Sequence, residues 1–148
     1  MKFKKFNVDH FEEWSSLVCL LFPNLDEGNL KAQLWNVTKS KKHKIYFAIR
    51  EEEIVGFIHI HLSDSYSYQK DSNISASIVG LYVKEKYRRT GLAQELIKKA
   101  EKWAWKKGCT NIISRTNISD DDVHQFLYMN GYSPKSELIN FHKPIIKT

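Results

Sequence analysis

The eleven residues from Val83 to Ala93, Val-Lys-Glu-Lys-Tyr-Arg-Arg-Thr-Gly-Leu-Ala, restrict most what this chain can become. A β-rich run, Ile78 to Val83, ends in a basic loop with one glycine, and an amphipathic helical pattern starts at once behind it. Gly91 at that junction lets the backbone come close to a ligand. The first amides of the helix have no intrahelical acceptors and carry the positive end of the macrodipole. Strand, glycine hinge and helix start in that order outline an anion cradle, and phosphate is its natural occupant.

The charge pattern agrees. The 148 residues carry a formal net charge of +6. Residues 84 to 107 hold nine basic against three acidic side chains, and the rest of the chain is balanced. All of the excess therefore falls on the cradle and the helix behind it, where it raises the local concentration of a polyanionic cofactor. A solvated helix face for Lys98 to Lys107 and a nucleic-acid surface are the other readings of the same stripe.

At 42% hydrophobic content the chain has material for one substantial core, so we expect a single domain over 1–148. The longest apolar stretch, Leu17 to Phe22, is far too short for a membrane span. Only Cys19 and Cys109 are present, so a disulfide framework is not expected and a reducing cytoplasm fits.

Asp9 with Glu12 forms a capping-box pattern, and Phe11, Trp14, Leu17, Val18 and Leu21 repeat at helical spacing until Pro23, predicting a helix over about 10–21. A weaker helix runs through Leu30, Leu34 and Val37 after the Asp26-Glu27-Gly28 turn. Ile45 to Arg50 and Ile54 to Leu62 read as a hairpin, although Glu51-Glu52-Glu53 lacks the usual turn residues. Ser63 to Asn73 is a polar loop. Ile74 to Val83 is a strand in which Gly80 suggests a bulge or a close approach. Ala93, Leu96, Ile97, Ala100, Trp103 and Ala104 make the apolar stripe of the helix that Gly108 ends. Asn111 to Thr116 is a short strand. Asp120 to Asp122 start a last helix, with Val123, Phe126, Leu127 and Asn130 facing inward before Gly131. Alternating strands and helices imply an α/β (α+β) domain with a parallel strand pair at its centre and antiparallel strands at its edges.

Arg88-x-x-Gly91-x-Ala93 after a strand and before a helix resembles the acetyl-CoA pyrophosphate loop of the GNAT superfamily of N-acetyltransferases. Gly131-Tyr132 and a closing apolar run with Leu138, Ile139 and Phe141 follow in that family's order. His10, Trp14 and Pro23, Val55-Gly56-Phe57, Gly80 to Ala93, Lys107-Gly108-Cys109 and Val123-His124-Gln125 narrow the resemblance to the small aminoglycoside 6′-N-acetyltransferases, over nearly the whole chain. It implies a mixed central sheet with a splayed parallel pair and helices on both faces. It also implies acetyl-CoA as acetyl donor without a metal, and a small-molecule primary amine as acceptor, the aminoglycoside 6′-amine being the nearest named one.

By this resemblance the amides of Leu81, Tyr82 and Val83 bind the pantetheine arm and the thioester carbonyl. Those of Arg89, Thr90, Gly91, Leu92 and Ala93, with the Arg88 and Arg89 side chains, hold the pyrophosphate. Relatives carry asparagine as a further cofactor contact at the position of Asp120; Asn117 stands nearby as a replacement. Many members protonate the departing thiolate with a tyrosine where this chain has Leu127. Tyr128, one residue on, is the candidate acid here; an ordinary amphipathic aromatic is the alternative. On the acceptor side, the similar enzymes have acidic residues at the positions of Val79 and Arg115 and an aromatic at that of Phe22, while Tyr66 matches a substrate-side tyrosine.

Arg115 suits an anionic group better than an ammonium, or pairs with one of Asp120 to Asp122. An acceptor bearing an anion and a cofactor-binding protein without catalysis are therefore rival readings. Asp26, Glu27, Asp64, Asp71 and Glu137 could rebuild an acidic mouth. His59 and His61 share one strand face and read as surface or interface residues rather than metal ligands. Relatives are often dimers, and a homodimer is expected, with neither a nucleic acid nor a membrane as partner.

Overall fold

The computed structural model describes residues 1–63, 74–114, 121–134, 141 and 143–145. They fall into two compact units, Met1–Arg115 and Thr116–Thr148.

The first unit is a five-stranded sheet in the order β1-β2-β3-β4-β5: β1 Lys2–Lys5, β2 His43–Arg50, β3 Glu53–Ser63, β4 Ser75–Val83 and β5 Asn111–Ser114. The first four are mutually antiparallel, and β5 pairs parallel to β4 from Ser75/Asn111 to Ile78/Ser114. The mixed sheet with one parallel pair is the expected one. Among the described residues, however, that pair lies at an edge of the sheet, not at its centre. Strand β1 went unread because three of its four residues are lysine, a composition that marks solvent-facing edge strands rather than a core pattern.

Helices cover both faces. The helix α1, Phe11–Leu21, and α2, Glu27–Thr38, lie over Ile45, Phe47, Ile49, Ile54 and Phe57. Trp14, fully buried, meets Phe57 edge-on with ring centroids 6.3 Å apart. The helix α3, Leu92–Lys106, covers the opposite face with Leu92, Leu96, Ile97, Ala100, Trp103 and Ala104. Gly56 lets it approach: a Cβ there would lie 3.0 Å from the Tyr82 carbonyl oxygen and 3.5 Å from Leu96 Cδ1.

Three local expectations are corrected. The Asp9–Glu12 capping box does not form, because Asn7 Oδ1 takes the Asp9 amide at 2.9 Å and caps a 3-10 turn over Val8–His10 instead. The following residue pair is used differently too: Glu13 Oε1 accepts the Ile54 amide at 2.6 Å, tying α1 to β3. The hairpin turn needs two left-handed residues, and Glu51 and Glu52 supply them at φ 52° and 65° despite their side chains. In β4 the ladder pairs His59 with Gly80 and Ile60 with Ile78, so the extra residue of the bulge is Val79 and not Gly80.

The cap of α3 follows the sequence. Gly108 at φ 86° donates to Trp105 and the next amide, of Cys109, returns to Ala104, the paired bonds of a Schellman motif.

In the second unit α4 spans Asp121–Met129. Gly131 at φ 88° ends it in the same way, with Gly131 donating to Tyr128 and Tyr132 to Leu127. Phe126, Leu127 and Asn130 are half-buried, whereas Val123, expected to face inward, is exposed. Leu138 and Ile139 of the expected closing strand lie outside the described residues. Phe141 is exposed and belongs to no strand.

Candidate acetyl-CoA site

The junction behind β4 is built from backbone torsions. A 3-10 turn over Glu85–Tyr87 follows the strand, Arg88 is extended, and Arg89 and Gly91 take left-handed conformations at φ 64° and 81°. Gly91 is the N-cap of α3, its carbonyl accepting from Glu95 at 3.1 Å. Left-handed Gly91 directly followed by helical Leu92 turns successive N–H groups toward a common side, the geometry of an anion nest. Among the described residues the amides from Arg89 to Gln94 have no backbone acceptor. A Cβ at Gly91 would meet nothing within 4 Å, so the space before the helix is open.

The side chains brace this loop. Thr90 Oγ1 donates to the Tyr87 carbonyl at 2.5 Å. Arg88 Nε donates to the Val83 carbonyl at 2.8 Å, with its guanidinium 5.9 Å from the Tyr82 ring. Arg88 thus secures the loop to the strand end, a use the sequence did not reveal. Arg89 is exposed and makes no such bond among the described residues. Tyr87 has two cations near it, Arg50 and Lys86, each 5.7 Å from its ring centroid.

The three strand amides divide. Lys84 donates to Val55 at 2.8 Å, so by the alternation of an antiparallel ladder Tyr82 also points at β3. Leu81 and Val83 then direct their amides to the opposite edge, beyond Ile78 where the described ladder to β5 stops. Among the described residues, two of the three amides, not all, are without a ladder partner. The bulge at Val79 lies just ahead of them.

On the acceptor side, Phe22 caps the C-terminal end of α1 and Val79 sits at the bulge; both are exposed. Tyr66, Arg115, Asn117 and Asp120 lie outside the described residues. Tyr128 is an exposed residue of α4 in the second unit.

The structure adds a group that sequence reasoning placed on the surface. His59 is only 6% exposed, is the ladder partner of Gly80 beside the bulge, and has its Nε2 2.8 Å from His43 Nδ1. His61 stacks on His43 at 4.3 Å. Burial, reinforced by His43 and then His61, pushes His59 down to about 3, so it is neutral near pH 7. The signal was the register: His43 and His61 are opposite each other in the hairpin, but which strand face is covered depends on α1. Among the described residues no group of three His, Cys, Asp or Glu could hold a metal ion.

The basic surplus also divides. Lys84 is paired with Glu53 in a close ion pair, and Lys98 lies 3.7 Å from Glu95. Lys99, Lys102 and Lys106 face away from the loop, toward β1 and β2.

Comparison with known proteins agrees with this geometry. Residues 9–132 match the model of the acetyltransferase (GNAT) family. An aminoglycoside N(6′)-acetyltransferase type 1 of Serratia marcescens is 25% identical over 138 residues, covering 93% of this chain and 94% of its own. The structure of AAC(6′)-Iy in complex with a bisubstrate analogue, CoA-S-monomethyl-acetylneamine, superposes with a TM-score of 0.86 at 21% identity, over 97% of this chain and 98% of that one. The aminoglycoside 6′-N-acetyltransferase AAC(6′)-Ih from Acinetobacter baumannii does so with a TM-score of 0.83 at 20% identity, over 97% and 98%. With the family model spanning most of its length, the chain belongs to the GNAT acetyltransferase family.

Proposed function

We propose that this protein transfers the acetyl group of acetyl-CoA to a primary amine of a small molecule, the 6′-amine of an aminoglycoside being the first acceptor to test. The observation that carries it is the set of amides from Arg89 to Gln94 without backbone acceptors, set in a left-handed nest before α3. Those amides and the exposed Arg89 suit a pyrophosphate, with Arg88 holding the loop in shape. The Leu81 and Val83 amides suit the pantetheine and the carbonyl on which negative charge develops. Bound there, acetyl-CoA supplies an activated acetyl thioester.

The acceptor must arrive uncharged, and its proton needs an exit. His59, held neutral beside the bulge by burial, is too weak a base near pH 7 to take that proton. From the resemblance, Asn117 and Asp120 would add cofactor contacts, Tyr66, Phe22, Val79 and Arg115 would line the acceptor side, and Tyr128 would protonate the thiolate. We further read residues 1–148 as one acetyltransferase domain, acting as a cytoplasmic homodimer. Among the described residues both cysteines are free and no helix is long and apolar enough to cross a membrane.

Val79 favours a second acceptor class. An apolar residue, 55% exposed, replaces the carboxylate that a polycation would need at the bulge, so an amine with its own anionic group is the rival substrate. Titration calorimetry with acetyl-CoA tests the donor; absence of saturable heat overturns the proposal. Thiol-release assays with kanamycin-type amines against amino acids, peptides and polyamines decide the acceptor. Tight acetyl-CoA binding with no turnover on that panel would mark a protein that has kept the cofactor site and lost catalysis.

A further inference from the structure

Five lysines from three elements converge on one cavity that the acetyl-CoA loop does not use. Lys5 of β1, Lys44 of β2 and Lys99, Lys102 and Lys106 of α3 line it together with Tyr46 and Trp103, and its volume is about 260 Å³. The register explains the convergence: Lys5 pairs with Tyr46, both on the sheet face that α3 covers, while positions 99, 102, 103 and 106 form one stripe of the helix. No carboxylate lines the cavity, and none of the five lysines has an ion-pair partner among the described residues. Lys99 and Lys44 rest on aromatic faces instead, 5.1 Å from the Phe3 ring and 5.6 Å from the Tyr46 ring.

Like charges gathered in one recess repel, and the recess shows it. Burial first, then Lys5 and Lys107, lower the Lys44 ammonium below its usual range. A surface lysine stripe that served only solubility would spread its charges and intersperse acids, as Glu95 does for Lys98 one turn earlier. The helix rise puts Lys102 ~15 Å along the axis from Leu92, so these cations do not attend the cradle at the N-terminus of α3.

We propose that this cavity is a second anion site, which takes a compact ligand bearing several closely spaced phosphates. Its volume admits a small oligophosphate, and ammonium groups from three elements are suited to a charge-dense ligand rather than to a single carboxylate. An extended nucleic-acid strand would instead need exposed aromatics within the basic recess, where Trp103 is only 9% exposed and the exposed Trp105 is not part of the lining.

The test is a backbone-amide NMR titration of the whole chain with sodium tripolyphosphate, first alone and then with saturating coenzyme A. Saturable shifts at Lys5, Lys44, Tyr46 and Trp103 that persist with coenzyme A present are expected. In Lys99→Gln/Lys102→Gln the affinity should fall about tenfold or more, while Arg89→Gln leaves it unchanged within about twofold. The double variant should also melt no lower than the parent without ligand, and lose the rise in Tm that tripolyphosphate gives the parent. Shifts confined to residues 89–94, or abolished by coenzyme A, would overturn the second site. An oligodeoxythymidylate that binds these lysines more tightly than tripolyphosphate would overturn the compact ligand and assign the surface to nucleic acid. Neither result depends on whether the protein acetylates any amine.

Discussion

Arg88 Nε and the Val83 carbonyl, 2.8 Å apart, join the start of the phosphate loop to the end of the strand that precedes it. Among the described residues Arg89 makes no such bond, so two adjacent guanidinium groups have different duties. Arg88→Lys keeps the charge and loses the Nε donor, and Arg89→Gln loses the charge and keeps the loop. Both should weaken acetyl-CoA binding by about tenfold in calorimetry. Only the Arg89 effect should shrink between 0.05 and 0.5 M salt, because screening acts on an exposed charge and not on a loop bond.

Gly56 and Gly91 are needed for different reasons, and alanine separates them. At Gly56 the added methyl meets the Tyr82 carbonyl oxygen at 3.0 Å, so Gly56→Ala should cost about 1–3 kcal/mol in urea unfolding. At Gly91 no atom lies within 4 Å, and the cost is torsional, about 1 kcal/mol for a left-handed residue with a Cβ. Gly91→Ala should nevertheless lose more acetyl-CoA affinity than Gly56→Ala, since its methyl points into the open space that the anion is to fill.

Stability should fall in acid because of His59. Its folded value, about 3, is below the unfolded 6.5, so between those values the unfolded chain binds a proton that the native protein refuses. The contribution is fully present above about pH 6.5 and is lost as pH falls toward 3, up to about 4 kcal/mol. His43, lowered by burial and by His61, adds in the same direction. Urea unfolding at pH 7.5, 6, 5 and 4 should show a steeper decline for the parent than for His59→Gln; parallel curves would refute the assignment.

Val79→Glu puts a carboxylate at the exposed bulge. If the acceptor is a polycationic amine, KM in the thiol-release assay should drop by roughly three- to tenfold with acetyl-CoA affinity unchanged. For an acceptor carrying an anion, the same change should raise KM.

Much of the cradle was legible because it is local. Gly91 after a basic loop, the apolar stripe from Leu92 to Ala104 and the Gly108 cap each depend on neighbours a few residues away. The hairpin was legible too, although its Glu51-Glu52 turn is held left-handed by strand pairing rather than by residue preference. The Asp9 cap failed for want of a competitor in the pattern: Asn7 is two residues earlier and reaches the Asp9 amide first.

What the amino-acid order determined by itself was a strand, a glycine hinge and a helix with unshared amides, and with them the family. Tertiary structure alone decided which groups near that hinge are free. It turned the Tyr82 amide into the ladder, buried His59 under Trp14 and gathered Lys5 and Lys44 against α3. The physical reason is that torsion and capping are set within one or two turns of chain. Burial and charge density are set by which distant strand comes to lie alongside, and no window of sequence contains both partners.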